Sequence, residues 1–596
     1  MEKFVSKKGV SVYAYKGDAM TLLAFDLDES LKENFIGFTI KGNANGRPFN
    51  VYNQMKFKKE IKLHKKPDFP NQLLASEFSP IQKFRWIHVP STIEHVTDIH
   101  YGDYTYEVTP RYIENGKLLA PDPKATVSVT IDVSPFTDGD IQVGFTRSFI
   151  SSQAFAMRFG NKLNLRPNAE DLTFDITQEA GIAKRLNFAT GVKEDVSFSY
   201  KEIHEYLGWQ VRQRIVEFLE EVINDKTIKI DVFAYDLNEP FIVEQLLQLA
   251  KEGRAKIILD NYPDHKKEGS YENKFEDAFR EVATGDSDIY RGHFTSQAHS
   301  KVFIQRKNNA IAKAIKVLTG STNFATNGLY VNANHVIIFN KPAVAQVYAD
   351  VFDASFGDEN IASFKTSEIA ATNYEFNEAG LPDMTIRFSP HKPKTVDAFF
   401  KSIKEKILNA ESDVLFAVMK DDSNSDILDA LKEQVASSEI FTAGITDVRQ
   451  GMQLYKPGRK TGIRISGLNI ATKLRPPFKD IIKVPGLGHS IHHKFVVVDF
   501  KGTNPVVYCG SSNLAYTPEQ NNGDNLLEIR DKDVVTAFAI EAIRLIDHFH
   551  WLNKLVDGDT TEEEMNLYDN TEKIKWYAKY YNPKDLKFLE RTLLMK

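Results

Sequence analysis

The feature that most constrains this chain is a polar signature that occurs twice in matching surroundings. "HSKVFIQRK" begins at residue 299 and "HHKFVVVD" at residue 492, each a short polar head on an apolar run. Each is followed by a glycine-serine-x-asparagine, "GSTNF" from Gly320 and "GSSNL" from Gly510. His299 and His492 lie 193 positions apart, as do Lys301 and Lys494, and Asn332 and Asn525 keep that offset. The elements around the signatures return as well. "IKIDVFAY", "IVEQLLQLAKEG" and "AKIILD" read as strand, helix and strand; "DVLFAVM", "DILDALKEQV" and "IFTAGI" repeat that order. A repeat of units this long predicts a duplicated α/β domain, not a short-period solenoid.

A strand alternates its faces, so His492 and Lys494 are predicted to point one way and His493 the other. An imidazole and an ammonium then stand together at the mouth of a buried strand, an arrangement that suits a phosphate. A phosphodiester repels nucleophiles, and its non-bridging oxygens gain charge in the transition state. Lys301, Lys494, Asn323 and Asn513 supply cations and amide donors for those oxygens. One histidine can attack phosphorus and hold a phosphohistidine while a second protonates the leaving oxygen. The signature holds no carboxylate cluster or His/Cys set of the kind metals require, so no cofactor is expected.

These motifs resemble those of the phospholipase D superfamily, whose mark is two HxK(x)4D motifs, each followed by GSxN or GGxN. The resemblance covers roughly residues 198–555. His492, Lys494 and Asp499 satisfy the motif in full, whereas the first copy has Arg306 at the aspartate position. It implies a bilobal, pseudo-dimeric catalytic unit acting on phospholipid at a membrane surface or on nucleic acid. It also implies that each imidazole is oriented by a residue downstream of the other half's GSxN. Glu528 takes that place for His299, and His335 takes it for His492. His299, backed by a carboxylate, is then the nucleophile and His492 the general acid. Ser321, Ser512, His335, Arg459 and His489 are candidate substrate contacts, with structural or solvated roles as the alternative for the last two. Arg306 reads as the replacement of a structural aspartate on a tolerant loop, and His493 as packing. Of the activities implied, phospholipid head-group hydrolysis or transfer leads, because two motifs share one chain. Nucleic-acid cleavage and a phosphate-binding protein with weak catalysis remain the alternatives.

The flanks read differently. Residues 1–150 hold short β-rich runs punctuated by Gly, Asp, Asn and Pro, from "VSVYAYKG" to "IQVGFTRSF", which predicts an all-β sandwich. "YGDYTYEVTPRY" with "FRWIHVP" resembles a fibronectin-III or immunoglobulin-like module. Residues 151–197 are unassigned, the halves are placed at 198–375 and 376–555, and 556–596 form a helical tail packed on the catalytic core. "KFKKEIKLHKK" at 56–66 reads as a solvated face, with docking to anionic lipid or nucleic acid as the sharper alternative. The net charge of −6 argues against a globally basic nucleic-acid binder. A single cysteine excludes an intrachain disulfide framework. With no signal-like start and no long apolar run, a cytoplasmic protein is expected.

Overall fold

The computed structural model describes all residues but 54, 91–98, 149–151, 161–163, 187–191, 293, 358–362, 421–422, 438, 449–450, 457, 459–461, 466–490 and 557–565. Arg459 and His489 lie outside the described residues.

Two antiparallel sheets form the N-terminal sandwich. One holds Glu2–Lys7, Val10–Lys16, Thr21–Leu27 and Arg85–His88; the other holds Val127–Asp132, Asp103–Glu114, Phe35–Ala44 and Arg47–Asn50. Alternation along the strands sends Val10, Val12 and Ala14 of one sheet and Tyr104, Tyr106 and Val108 of the other into one apolar layer. The basic run at 56–66 uses the same period. Phe57, Ile61 and Leu63 pack against Ile36, Ile113 and Leu118, while most of its lysines face solvent.

Two mixed sheets follow, one per half. The first runs Thr137–Asp138, Ile141–Phe145, His335–Phe339, Ala314–Gly320, Val302–Lys307, Ile228–Ala234, Ala255–Asp260, Asp288–Gly292. The second runs Tyr374–Phe376, Asp383–Ser389, Asp524–Arg530, Val506–Gly510, Lys494–Val498, Asp413–Val418, Phe441–Val448, Gly451–Tyr455, Ile463–Ile465. In both, the motif strand sits centrally and pairs antiparallel with the strand that opens the repeat. The strand Ile141–Phe145, expected in the sandwich, belongs to the first catalytic sheet, where it pairs with His335–Phe339. The strand Asp383–Ser389 makes the corresponding pairing with Asp524–Arg530 in the second sheet.

Amphipathic helices cover each sheet. Pro240–Lys251 buries Ile242, Val243, Leu246, Leu249 and Ala250 on one stripe, starting from the Glu239 side chain that accepts Ile242 N–H. Each such large aliphatic side chain contributes about 1.5–3 kcal/mol on full burial. Pro393–Leu408 and Asp426–Ser437 do the same in the second half. The helices Pro342–Ser355 and Lys532–Val556, which follow the last strand of each half, put Tyr348, Phe352, Phe538 and Ile543 into one apolar cluster with both sheets. That shared layer joins the halves.

The tail departs from the expectation of packing on the catalytic core alone. Trp576 and Tyr580 enter the sandwich core, and Asn566–Leu567 pairs with Lys56–Phe57. Among the described residues of the tail, Leu593 and Leu594 at the end of the helix Leu586–Leu594 and Met595 just beyond it reach the layer shared by the halves.

Candidate active site

The two motif heads cross where the halves meet. His492 N–H donates to Ala333 O at 3.1 Å, and Gly523 N–H donates to Gln297 O at 2.8 Å. Each histidine is thereby carried to the segment that leads into the other half's last strand.

His299 Nδ1 lies 2.7 Å from Asp524 Oδ1, with both side chains buried. His492 Nδ1 lies 2.9 Å from Asn334 Oδ1 and 3.0 Å from Ser321 O. All three partners are acceptors, so each imidazole carries its proton on Nδ1 and keeps Nε2 for chemistry. Burial holds His299 below the ordinary histidine range; Asp524 pulls it up, and Lys301 and Lys494 push it down.

These partners correct the expected ones. Glu528 lies further along the strand Asp524–Arg530, where it meets Arg387 at 3.1 Å and Arg530 at 2.8 Å. His335 turns into the core, with its Nδ1 3.1 Å from Nδ1 of His493, and does not meet His492. The error is one of register. From the histidine to the GSxN glycine the first copy runs from 299 to 320, the second only from 492 to 510, three residues fewer. The offset of 193 therefore ends before GSxN, and Asn332 corresponds to Asn522, not Asn525. Counted from the GSxN serines, Ser321 to Asn334 and Ser511 to Asp524 are equal steps.

Lys301 and Lys494 are each 1% exposed and donate to the carbonyls of His299 and His492, the second at 2.9 Å. Lys494 Nζ also lies 3.4 Å from His492 Nε2. Burial brings Lys301 down to about 8, against the pull of Asp524, Asp236 and Asp260. Burial, with Lys301 nearby, holds Lys494 well below the lysine range. Two cations that burial makes costly are a ready receptor for an anion. The Asn323 and Asn513 amides complete the four, and Oδ1 of each is buried without a hydrogen-bond partner. Asn323 Nδ2 donates to Asp236.

Ser321 and Ser512 were expected on the substrate. Both are buried and turn inward: Ser321 donates to Asn334 Oδ1 at 2.8 Å, fixing the partner of His492, and Ser512 donates to Glu519. His493 faces the core opposite His492, with Nε2 3.2 Å from Glu541. Arg306 is on a strand and 6% exposed, paired with Asp231 and, at 2.7 Å, with Asp353. A buried ion pair thus stands where a tolerant loop was expected. Asp499 at the matching place accepts from Glu411 N–H at 2.7 Å and Ser412 N–H at 3.0 Å.

Four residues beside the motifs went unread in the sequence: Asp524, Asn334, Tyr235 and Asp260. The Tyr235 ring packs edge-on against His299, centroids 4.8 Å apart, with the Lys301 ammonium 4.7 Å from its centre. Asp260 Oδ1 accepts from Ala298 N–H at 2.6 Å, fixing the backbone before His299. Counting from GSxN would have found the first two; the others are brought in by strand ends with no motif of their own.

A family model described as cardiolipin synthase, PLD-like domain, matches residues 219–356 and 403–546. No curated protein sequence matches the chain. Solved structures similar to it include a polyphosphate kinase from Porphyromonas gingivalis, at 12% identity and TM-score 0.36, covering 65% of this chain and 54% of that one. The chain thus spans about half the length of that kinase. A phosphatidylserine synthase from Haemophilus influenzae matches at 11% identity and TM-score 0.39, over 60% of this chain and 89% of that one. A yeast tyrosyl-DNA phosphodiesterase matches at 10% identity and TM-score 0.29, over 53% and 86%. With one matched domain in each half, the chain belongs to the phospholipase D superfamily.

Proposed function

We propose that this chain is a metal-independent phosphodiesterase that works through a phosphohistidine and hydrolyses or transfers phospholipid head groups. The observation that carries the reading is the pair of imidazoles, one from each half, each held through Nδ1 with a lysine beside it. His299 Nε2 attacks phosphorus, and the bond to the leaving oxygen breaks as His492 Nε2 gives that oxygen its proton. Water or a second alcohol, deprotonated by His492, then attacks phosphorus and releases His299. Lys301, Lys494, Asn323 and Asn513 hold the non-bridging oxygens, and Asp524 balances the charge on the substituted imidazole. Those four donors do the work a metal ion would do, so turnover is expected to survive EDTA.

The lipid reading draws on the family description, which names a cardiolipin synthase, and on the union of both halves in one chain. No helix among the described residues is long and apolar enough to cross a membrane, so contact with lipid would be peripheral. The test is one panel of mixed phospholipid vesicles, single-stranded DNA, duplex DNA and RNA, each with and without a primary alcohol. Head-group release, with transfer to the alcohol, is expected. Cleavage of nucleic acid alone would replace the substrate class. Binding of phosphate without turnover of any substrate would remove the enzymatic reading.

A further inference from the structure

A second polar group stands beside the first half's motif and has no part in the reaction just described. His265 Nδ1 lies 2.8 Å from Asp260 Oδ2, and its Nε2 lies 2.9 Å from Asp236 Oδ1. Glu272, 5% exposed, accepts from Leu237 N–H at 3.1 Å. The ligand atoms of Asp236, His265 and Glu272 all lie within 4.8 Å of one another. We infer that Asp236, His265 and Glu272 form a site for a divalent metal of the zinc or manganese class.

The donor set is one imidazole nitrogen and two carboxylates, the mixed nitrogen and oxygen environment these ions take. Asp260 gives His265 the outer carboxylate that fixes a metal-binding imidazole through its other nitrogen. That carboxylate is itself pinned, by Ala298 N–H on Oδ1 and by Tyr262 N–H at 2.8 Å on Oδ2, and is fully buried. The free side of the imidazole is therefore Nε2, and only a proton separates it from Asp236. Replacing that proton by a tetrahedral ion, with bonds near 2.05 Å, needs the two atoms about 3.3 Å apart, an opening of a few tenths of an ångström. The Asp236 side chain is 31% exposed, which leaves a way in.

An independent observation comes from Asn323. Its side chain is buried, its Nδ2 donates to Asp236, and its Oδ1 has no hydrogen-bond partner. Turning the amide end for end would place that oxygen toward an ion held by Asp236. Among the described residues no second group of this kind occurs. The strand pairings match Phe233 with Ala417, so Tyr235 and Asp236 correspond to Met419 and Lys420. Among the described residues the site belongs to the first half.

Binding can be read without any substrate, so the inference stands apart from the phosphodiesterase reading. Full-length protein cleared of metal with a chelator is titrated with zinc ion by calorimetry, and with cobalt ion by visible absorption. One equivalent is expected to bind. Asp260→Asn should weaken it about 10–100-fold, and Glu272→Gln and His265→Ala at least as much. His299→Ala should leave it unchanged. Circular dichroism of metal-free protein checks folding, and Glu272→Gln and Asp260→Asn keep the test alive if His265→Ala does not fold. Zinc binding lost in His299→Ala but kept in Glu272→Gln would move the ion to the catalytic pair and overturn the site. Absence of any one-equivalent binding would show a closed imidazole–carboxylate network, and would overturn it as well.

Discussion

Asp524 stands behind His299 and Asn334 behind His492, so two imidazoles in otherwise matching positions differ by one charge. A carboxylate stabilises the cation that an attacking imidazole becomes, whereas an amide only fixes the ring. Asp524→Asn keeps an acceptor for Nδ1–H and removes that charge. Turnover through His299 is expected to fall about 10²–10⁴-fold, as for loss of a support to acid–base catalysis. The pH profile gives the sign. His299 already sits below the ordinary histidine range, and Asp524 is what pulls it upward. In the variant the acidic limb of kcat/KM should therefore move to still lower pH. An unmoved limb with the same loss of rate would assign that limb to another group. The HxK and GSxN residues are legible in the sequence because each motif is local. Asp524 and Asn334 are not, since each acts on a histidine of the other half, and a hairpin longer by three residues in the first copy shifts the apparent register.

At the scale of elements, the succession of strands and helices within each half follows from hydrophobic period, and the partners of the charges at strand ends do not. Arg306 reverses the sign of Asp499, yet both tie the end of a motif strand to its surroundings. Arg306 bonds Asp231 on the neighbouring strand and Asp353 on a helix, while Asp499 takes backbone N–H groups at 411 and 412. Nothing local in "VFIQRK" names Asp231, 75 residues earlier, as its partner. Behind the second GSxN, the helix Tyr516–Asn521 carries Glu519, which burial pushes up to about 8. Ser512 donates to its Oε1, and its Oε2 lies 3.7 Å from Nε2 of His391. His391 Nδ1 is spent on Ala370 O at 2.7 Å, and Nε2 and Oε2 are both buried without a hydrogen-bond partner, so nothing there rewards an ionised carboxylate. Below its ordinary 4.5 this carboxyl is protonated in both states. As pH rises from there toward about 8, the unfolded chain loses the proton and the folded one holds it, so stability is lost across that window, by up to about 1.4 kcal/mol per pH unit. Glu519→Gln keeps an acceptor for the Ser512 hydroxyl and cannot ionise. Its stability advantage in denaturant unfolding should be larger at about pH 8 than at about pH 5. An equal difference at both would mean that Glu519 is ionised in the fold.

At the scale of the whole molecule, the sequence shows where strands are and not which sheet receives them. "IQVGFTRSF" alternates like its sandwich neighbours, but Ile141–Phe145 completes the first catalytic sheet. Buried Asp18 of the sandwich accepts Phe136 N–H at 3.0 Å and Phe145 N–H at 2.9 Å, which fastens the two bodies where the chain passes between them. The tail makes the second fastening. Arg85 of the sandwich is held by Asp547 of the last long helix and Glu590 of the tail, and Trp576 fills the sandwich core beside Phe35 and Phe84 at ring distances of 5.4 and 5.7 Å. Trp576→Ala empties that space and should cost about 3 kcal/mol, the low end for a core tryptophan. The low end applies because the indole N–H is already buried without a partner, a penalty the substitution removes. The site itself is built from the two halves alone, so the loss should appear in the sandwich and leave turnover per folded molecule unchanged. Urea unfolding followed in parallel by tyrosine absorbance and by residual activity checks this. Destabilisation should move the absorbance transition to lower urea, with activity retained at concentrations where the sandwich has opened. If activity falls together with absorbance, the sandwich and the catalytic halves unfold as one cooperative unit, and the N-terminal sheets are part of what holds His299 and His492 in place.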